Sequence, residues 1–282
     1  MKRRIAVVFH RHDVGLPEKT QYFIRLLRDE WIGMGMEVPF VRGISKFVPA
    51  DVAISHVDLT HTPAEYLDFL SRYPATVNAN LTDISKARIS SNVVSHDSDW
   101  KGPVIVKSNL NSKGGPEERI ARAADRSRIS RRILRRLGFW TPPQHGPMPD
   151  YKIYDTIHEV PFEAHSDPRW VVERFLPEME SDTYVLRLLL VLGSRVISAK
   201  ARSPKPIVKS ADFIEDLTVE NPPGLAERVR ALGVEYGKVD YVIRDGEPVI
   251  LDVNRTPTCA RPPRERNLLE AKTLAPAILE FL

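Results

Sequence analysis

A hairpin-like segment near the C-terminus restricts the fold of this 282-residue chain more than any other feature. Two apolar runs at 239–243 and 248–253 flank the segment Arg-Asp-Gly-Glu, in which Asp-Gly supplies the positive φ angles of a tight turn. The two strands must pair antiparallel, so Asp240 lies across from Asp252 and Asn254. Because Asp252 and Asn254 are two residues apart, they share one face of the sheet.

Two carboxylates and an amide oxygen on one face form a ligand set of hard oxygen atoms. Such a set suits an octahedral Mg²⁺ ion that also carries substrate phosphates. A structural interpretation remains open, in which Asp240 and Asp252 end strands and Asn254 opens a turn before Pro257, because acidic residues are common beside turns.

Composition limits the classes of protein that need to be considered. The length and the 42% hydrophobic content predict one or two domains with a substantial core. A net charge of +4 and a pI near 9.1 suit anionic small molecules such as nucleotides as well as nucleic acid. Cys259 is the only cysteine, which excludes an intrachain disulfide and predicts a cytoplasmic protein. The apolar runs are too short for a signal peptide or a membrane span, so no membrane association is expected.

The first 80 residues alternate between short apolar runs and helical patterns. Apolar residues at helical spacing over 18–34 follow a first strand, and this alternation predicts a parallel sheet covered on both faces. No glycine-rich fingerprint follows the first strand, which disfavours a dinucleotide site. His56, Asp58 and His61 follow a later strand, where they could bind a metal or, as loop histidines more often do, make ordinary hydrogen bonds.

Lysines mark two positions where a nucleotide phosphate could bind. Lys86 ends a polar segment, and Lys107 ends an apolar strand that leads into a loop containing Gly114 and Gly115. Backbone N–H groups of such a loop can approach phosphate oxygens while a lysine offsets their charge. An ordinary turn at these glycines is the alternative.

Residues 117–138 form a basic helical pattern with eight arginines. A nucleic-acid or membrane surface, a site for a polyanionic substrate and the solvated face of a packed helix are all compatible with it. The solvated face is favoured, because no aromatic residues interleave for base stacking.

The segment after residue 170 combines apolar strands with charged residues at their ends. An apolar strand reaches Glu173 and is followed by Leu176, Glu178 and Glu180. The next hairpin has Arg187 within an apolar strand, and burial of arginine is expensive unless the side chain is paired.

Taken in order, these segments resemble the motifs of the ATP-grasp superfamily, and in particular D-Ala-D-Ala-ligase-like carboxylate–amine ligases and uncharacterised bacterial members. The hairpin resembles the magnesium-binding hairpin of that family, in which an Asp is followed by an acidic residue, any residue and Asn, and then by Thr-Pro. The chain departs from the pattern at Thr258, where glycine is usual, and at Asp252, where glutamate is usual.

The resemblance implies an α/β (α+β) fold with two parts. A small Rossmann-like α/β domain would occupy residues 1–80, and an ATP-grasp domain would occupy residues 81–282. The nucleotide would bind between halves at about 81–175 and 176–282.

The resemblance also implies roles for individual residues. ATP would contact Lys86, Lys107 and the loop at Gly114 and Gly115 through its phosphates, and the backbone of Glu173 and Leu176 through adenine. Glu180 would bind ribose, with Glu178 as the alternative for that contact. Mg²⁺, with Mn²⁺ as an alternative, would bind Asp240, Asp252 and Asn254. Arg187 and Arg202 would approach the γ-phosphate, and Arg255 would reach a phosphate or a substrate carboxylate.

The family's usual activity is the joining of a small-molecule carboxylate to an amine through an acyl phosphate. A kinase that phosphorylates a hydroxyl is the alternative, and a nucleic-acid-binding protein is a remote one. The sequence does not identify the substrates, and it leaves a homodimer open.

Overall fold

The computed structural model describes residues 2–126, 150–208 and 215–282. Its strands are β1 Ile5–Phe9, β2 Thr20–Tyr22, β3 Phe40–Arg42, β4 Val52–Ser55, β5 Ala75–Val77, β6 Val104–Ser108, β7 Lys152–Tyr154, β8 Trp170–Arg174, β9 Glu178–Glu180, β10 Thr183–Leu192, β11 Arg195–Ser203, β12 Glu215–Val219, β13 Tyr236–Arg244, β14 Glu247–Asn254 and β15 Thr258–Ala260. Its α-helices are α1 Ile24–Gly33, α2 Ala64–Leu70, α3 Lys86–Ile89, α4 Gly115–Arg126, α5 Phe162–Ser166, α6 Leu225–Ala231 and α7 Glu265–Leu274. Short 3-10 helices span Asn111–Gly114, Ile157–Glu159 and Ala275–Phe281.

The N-terminal part contains a four-stranded parallel sheet in the order β3-β1-β4-β5. Successive residues of β1 alternate between two cores, with Val7 packed in the cluster of α1 and Val8 in the cluster of α2. This alternation confirms the predicted parallel sheet covered on both faces.

The helix predicted over 18–34 is shorter than expected. Residues Thr20–Tyr22 form β2, which pairs antiparallel with β15, and α1 begins only at Ile24. The strand forms because a partner from the distant C-terminal part supplies its hydrogen bonds, which local spacing does not report.

Two antiparallel sheets form the remainder of the described fold. The smaller has the order β7-β6-β8. The larger has the order β12-β11-β10-β13-β14, with β9 paired to the first residues of β10.

The predicted hairpin is present as β13 and β14. Its turn has positive φ at Asp245 (53°) and Gly246 (84°), as an Asp-Gly turn requires. Asp240 pairs directly with Asp252, and a shift of register beyond this pair leaves Leu251 without a residue opposite it.

One apolar core joins the two ends of the chain. Trp31 of α1 is fully buried in the same cluster as Leu274 and Ile278, and its indole N–H donates to the carbonyl oxygen of Ala275 at 2.9 Å. This core contains residues from both sides of the boundary at residue 80, which stays a prediction.

One sequence prediction extends beyond the described residues. The basic helix predicted over 117–138 begins with α4 at Gly115, and its part from residue 127 lies outside the described residues. Within the described ranges, no helix is long and apolar enough to cross a membrane.

Candidate functional site

A cavity between the three-stranded and six-stranded sheets brings predicted phosphate and metal ligands together. Four of these residues line the cavity. Lys86 comes from the start of α3, Lys107 from β6, and Asp240 and Asp252 from the hairpin. Leu176, in the connection between β8 and β9, lines the same cavity.

The carboxylates of Asp240 and Asp252 each have a lysine beside them. Lys238 Nζ lies 3.0 Å from Asp240 Oδ1, and Lys86 Nζ lies 3.2 Å from Asp252 Oδ1. Burial raises the pKa of Asp240; Lys238 opposes this rise, and the neighbouring Asp252 adds to it. Because Asp240 and Asp252 are direct cross-strand neighbours, their like charges favour the presence of cations beside them.

Lys238 is a site residue that the sequence analysis missed. It lies two residues before Asp240 on the same strand face and pairs across the hairpin with Asn254. Its spacing from Asp240 is the signal that could have identified it.

The donor chemistry at the hairpin fits a divalent cation. Asp240 Oδ1 is buried, and its contact among the described residues is the ion pair with Lys238 Nζ, so this oxygen would act as a metal ligand by sharing or displacing that ammonium group. Asn254 Oδ1 accepts hydrogen bonds from the N–H of Thr256 at 2.8 Å and from its hydroxyl at 3.2 Å. This oxygen would therefore bind a metal only by sharing or breaking those two hydrogen bonds. The two carboxylates therefore form the core of the candidate site, and phosphate and water would complete it.

Glu173 lies behind the cavity wall rather than on it. Its side chain is fully buried and accepts a hydrogen bond from Lys107 Nζ at 2.8 Å. Its backbone pairs with Ile105 and bridges Val93. Glu173 does not line the cavity, whereas Leu176 does, and the adenine contact of Leu176 stays a prediction.

Arg187 and Arg202 do not converge on the carboxylate pair. Asp240 pairs with Leu188, so the adjacent Arg187 lies on the opposite face of the sheet, and Arg202 shares that opposite face through its pairing with Val185. The predicted approach of both arginines to the γ-phosphate is therefore not reproduced.

Acidic residues of β9 form ion pairs with the cations on that face, and one of these acids, Glu178, also lines the cavity. Arg187 Nε donates to Glu178 at 2.8 Å, and a hydrogen bond from this pair raises the pKa of Arg187. Lys200 Nζ donates to Glu180 at 2.7 Å. Glu180, the residue predicted to hold ribose, thus lies with the ion pairs and not on the cavity wall. Arg187, which is expensive to bury without a partner, is paired with Glu178.

Arg255 has a structural position instead of the predicted substrate contact. Its fully buried guanidinium donates to the carbonyl oxygens of Leu81 at 2.7 Å and Thr60 at 2.9 Å, and to the hydroxyl of Thr62. Burial lowers the pKa of Arg255 to about 10. The arginine therefore attaches the end of the hairpin to the loops that follow β4 and β5.

Gly114 and Gly115 form the start of a helix and do not line the cavity. Gly114 ends a 3-10 turn with φ +77°, and Gly115 is the first residue of α4. In the first turn of α4, Glu117 accepts hydrogen bonds from the N–H of Thr60 at 2.7 Å and from its hydroxyl at 2.6 Å. The segment is anchored to the N-terminal part of the chain, whereas a flexible phosphate loop was predicted.

His56, Asp58 and His61 do not converge as a metal site. His56 is fully buried, and burial lowers its pKa to about 3. Asp58 accepts hydrogen bonds from the hydroxyls of Tyr22 at 3.0 Å and Thr256 at 2.7 Å, and His61 lies 3.4 Å from Asp83. Across residues 2–126, 150–208 and 215–282, no three His, Cys, Asp or Glu side chains are arranged to hold a metal ion.

A second cavity, of about 890 Å³, adjoins the first. The two cavities share Leu186, Val208 and Asp240 as lining residues. A molecule in the second cavity can therefore reach a group held at the carboxylate pair.

Comparison with known proteins identifies the fold through solved structures only. No protein-family model and no curated protein sequence matches the chain. The macrocyclase MdnC bound with precursor peptide MdnA, from Microcystis aeruginosa MRC, has a TM-score of 0.53 and 9% identity, covering 97% of this chain and 99% of that chain.

Two further structures are similar over almost the whole chain. A RiPP-associated ATP-grasp ligase from Chryseobacterium gregarium, in complex with ADP and a leader and core peptide, has a TM-score of 0.49 and 10% identity, covering 99% of this chain and 97% of that one. A RimK domain ATP-grasp protein from Sphaerobacter thermophilus DSM 20745 has a TM-score of 0.48 and 16% identity, covering 98% and 99%. The fold is the ATP-grasp fold that the sequence predicts.

Proposed function

We propose that this protein is an ATP-dependent ligase that joins a carboxylate to an amine and releases ADP and phosphate. The observation that carries the proposal is the convergence of Lys86, Lys107, Asp240 and Asp252 on one cavity of an ATP-grasp fold. Phosphoryl transfer depends mainly on positioning and electrostatic stabilisation, and cations with paired carboxylates supply both.

The chain's own residues would divide the work in the following way. Lys86 and Lys107 would offset phosphate charge, and Asp240 and Asp252 would hold Mg²⁺. When bound, Mg²⁺ supplies further charge neutralisation and orientation of the phosphates. Lys238, beside Asp240, is positioned to attract the substrate carboxylate toward the same place.

The reaction needs no protein nucleophile. A carboxylate oxygen of the substrate attacks the γ-phosphorus, and the bond to the β-phosphate oxygen breaks, so that ADP leaves. The amine nitrogen then attacks the acyl carbon of the acyl phosphate, the carbon–oxygen bond breaks, phosphate leaves, and the amine loses a proton.

The nucleotide balance tests this proposal directly. The full chain is incubated with ATP, Mg²⁺, a pool of carboxylic acids and hydroxylamine, while ADP, AMP, phosphate and hydroxamate are followed together. A ligase gives ADP and phosphate in equal amounts, with hydroxamate formed from the acyl phosphate. ADP without phosphate would instead identify a kinase that leaves the γ-phosphoryl group on its product, and AMP formation would contradict both.

Asp252→Asn tests the carboxylate pair. Removal of one charge from the pair is expected to lower ATP turnover by about 100-fold or more, because preorganised charge is the main source of rate. Asp245→Asn is the matched control, since Asp245 lies in the turn of the same hairpin with its side chain 86% exposed, and asparagine tolerates its positive φ. Wild-type turnover in Asp252→Asn would contradict the assignment.

A further inference from the structure

Resting on the proposed ligase function, we infer that the second cavity binds the acid substrate and that this acid is an elongated amphipathic dianion. Its reactive carboxylate would lie at the end shared with the nucleotide cavity. Its body would be apolar, and a second anionic group would lie at the exposed cations Lys19 and Arg264, which line the same cavity.

The reactive end is defined by the residues common to both cavities. Asp240 lies at this junction, and Lys238 lines only the second cavity beside it. A carboxylate that approaches Lys238 is therefore next to the position where the γ-phosphate would be held.

The floor of the second cavity is apolar. Leu186, Leu188 and Leu190 share one face of β10, and Ile197 and Ala199 extend this face on β11 through their pairing with Leu190 and Leu188. Phe23 and Pro257 also line the cavity. Such a surface favours a hydrocarbon chain over a small, fully polar acid.

Positive charge dominates the polar part of the lining. Four cations and two acids contribute, namely Lys19, Lys238, Arg264, Arg266, Asp240 and Glu270. Lys238 is next to Asp240, and Arg266 donates to Glu270 at 2.7 Å.

Lys19 and Arg264 are exposed and form no ion pair with the residues that the structure describes. They belong to adjacent segments, since the N–H of Arg261 donates to the carbonyl oxygen of Lys19 at 2.9 Å. Neither lines the nucleotide cavity.

This arrangement selects the class of substrate. A second anionic group would meet Lys19 and Arg264, whereas a monoacid would leave both without a partner. The excess of positive charge would repel an ammonium group. A dianion with an apolar body matches the floor and both groups of cations.

Binding measurements with defined acids test the inference independently of catalysis. Dicarboxylic acids from succinate to sebacate are titrated into the full chain by calorimetry, beside monocarboxylic acids of equal carbon number. At least one longer dicarboxylate is expected to bind about tenfold more tightly than its matched monocarboxylate, because it gains a charge-assisted contact. Equal affinity of the two series, or no binding by either, would overturn the inference.

Matched variants locate the second anionic group. Arg264→Gln and Lys19→Gln are each expected to weaken dicarboxylate binding by about tenfold and to leave monocarboxylate binding unchanged. Arg261→Gln removes the same charge from an exposed residue of the same segment that does not line the cavity, and it should have no effect. Equal effects of Arg261→Gln and Arg264→Gln would contradict the assignment.

The hydroxylamine assay separates this inference from the proposed function. Hydroxamate formed from the tightest dicarboxylate supports both. Tight dicarboxylate binding with no ATP turnover would overturn the ligase and leave the dianion site in place. Hydroxamate formed only from short or singly charged acids would overturn the dianion site and leave the ligase.

Discussion

Lys86 and Lys107 meet their carboxylate partners in different surroundings. Lys107 pairs with the fully buried Glu173, whereas Lys86 pairs with Asp252, whose side chain is 25% exposed. Loss of the partner of a buried charge is costly, so the Lys107–Glu173 pair is expected to persist when phosphate binds. Lys86 can transfer its interaction from Asp252 to a phosphate while Asp252 binds a metal.

His56 predicts a loss of stability in mild acid. Its ring is fully buried beside Phe9 and Tyr22, and burial lowers its pKa from 6.5 to about 3. Because the unfolded chain takes up a proton below pH 6.5 and the folded chain does not, the free energy of unfolding should fall as pH decreases from 6.5 toward 3. The loss contributed by His56 approaches about 1.4 kcal/mol per pH unit.

Urea unfolding between pH 4 and 8 measures this contribution, with His56→Phe as the comparison. The variant keeps an aromatic ring but has no titrating group, so its stability should fall less steeply over this range. Identical slopes for the two proteins would show that His56 does not titrate as its burial predicts.

At the scale of elements, the β13–β14 hairpin determines the geometry of the carboxylates. Its turn selects the register, its register pairs Asp240 with Asp252, and the close approach of its strands depends on Gly237. A methyl group at Gly237 would lie 2.8 Å from the carbonyl oxygen of Asn254.

Gly237→Ala is expected to move the two strands apart beside Lys238 and Asn254. The free energy of unfolding should fall by about 1–3 kcal/mol, since overpacking forces the backbone to shift. ATP turnover should fall as well, because positioning of the carboxylates is disturbed.

Gly33→Ala serves as the control for this substitution. A methyl group at Gly33 meets nothing within 4 Å, and the residue ends α1 with an ordinary φ. Chemical denaturation and turnover are measured on both variants. Equal behaviour of Gly237→Ala and Gly33→Ala would contradict the proposed close approach.

At the scale of the whole molecule, the N-terminal sheet and the C-terminal helices stabilise each other. Trp31 packs with Leu274 and Ile278, and Tyr22 of β2 pairs with Thr258 of β15. The chain's first and last segments therefore share a core.

Trp31→Ala is expected to destabilise both ends of the chain. The cavity should lower the free energy of unfolding by about 3–5 kcal/mol. Because the core is shared, hydrogen exchange should accelerate at β1 and at 275–278 together. Exchange that accelerates at β1 alone would show that the N-terminal part unfolds independently.

Alternation and turn chemistry explain which predictions succeeded. Asp245 and Gly246 predicted the hairpin, and the spacing of Asp252 and Asn254 predicted their shared face, because a strand has a period of two. The same rule, applied to neighbouring residues, would have included Lys238 and placed Arg255 on the other face. Glu173 was harder to place, because its backbone partners are distant in sequence.

The sequence by itself determined the parallel N-terminal sheet, the hairpin and the chemical types of the cavity's lysines and carboxylates. Only the tertiary structure decided that Arg187 and Arg202 face away from Asp240, because a shift of one residue in the register between β10 and β13 would reverse which side chains face the cavity. The tertiary structure also decided that Arg255 is buried and that a cationic, apolar-floored cavity adjoins the carboxylate pair, since both depend on contacts between segments far apart in the chain.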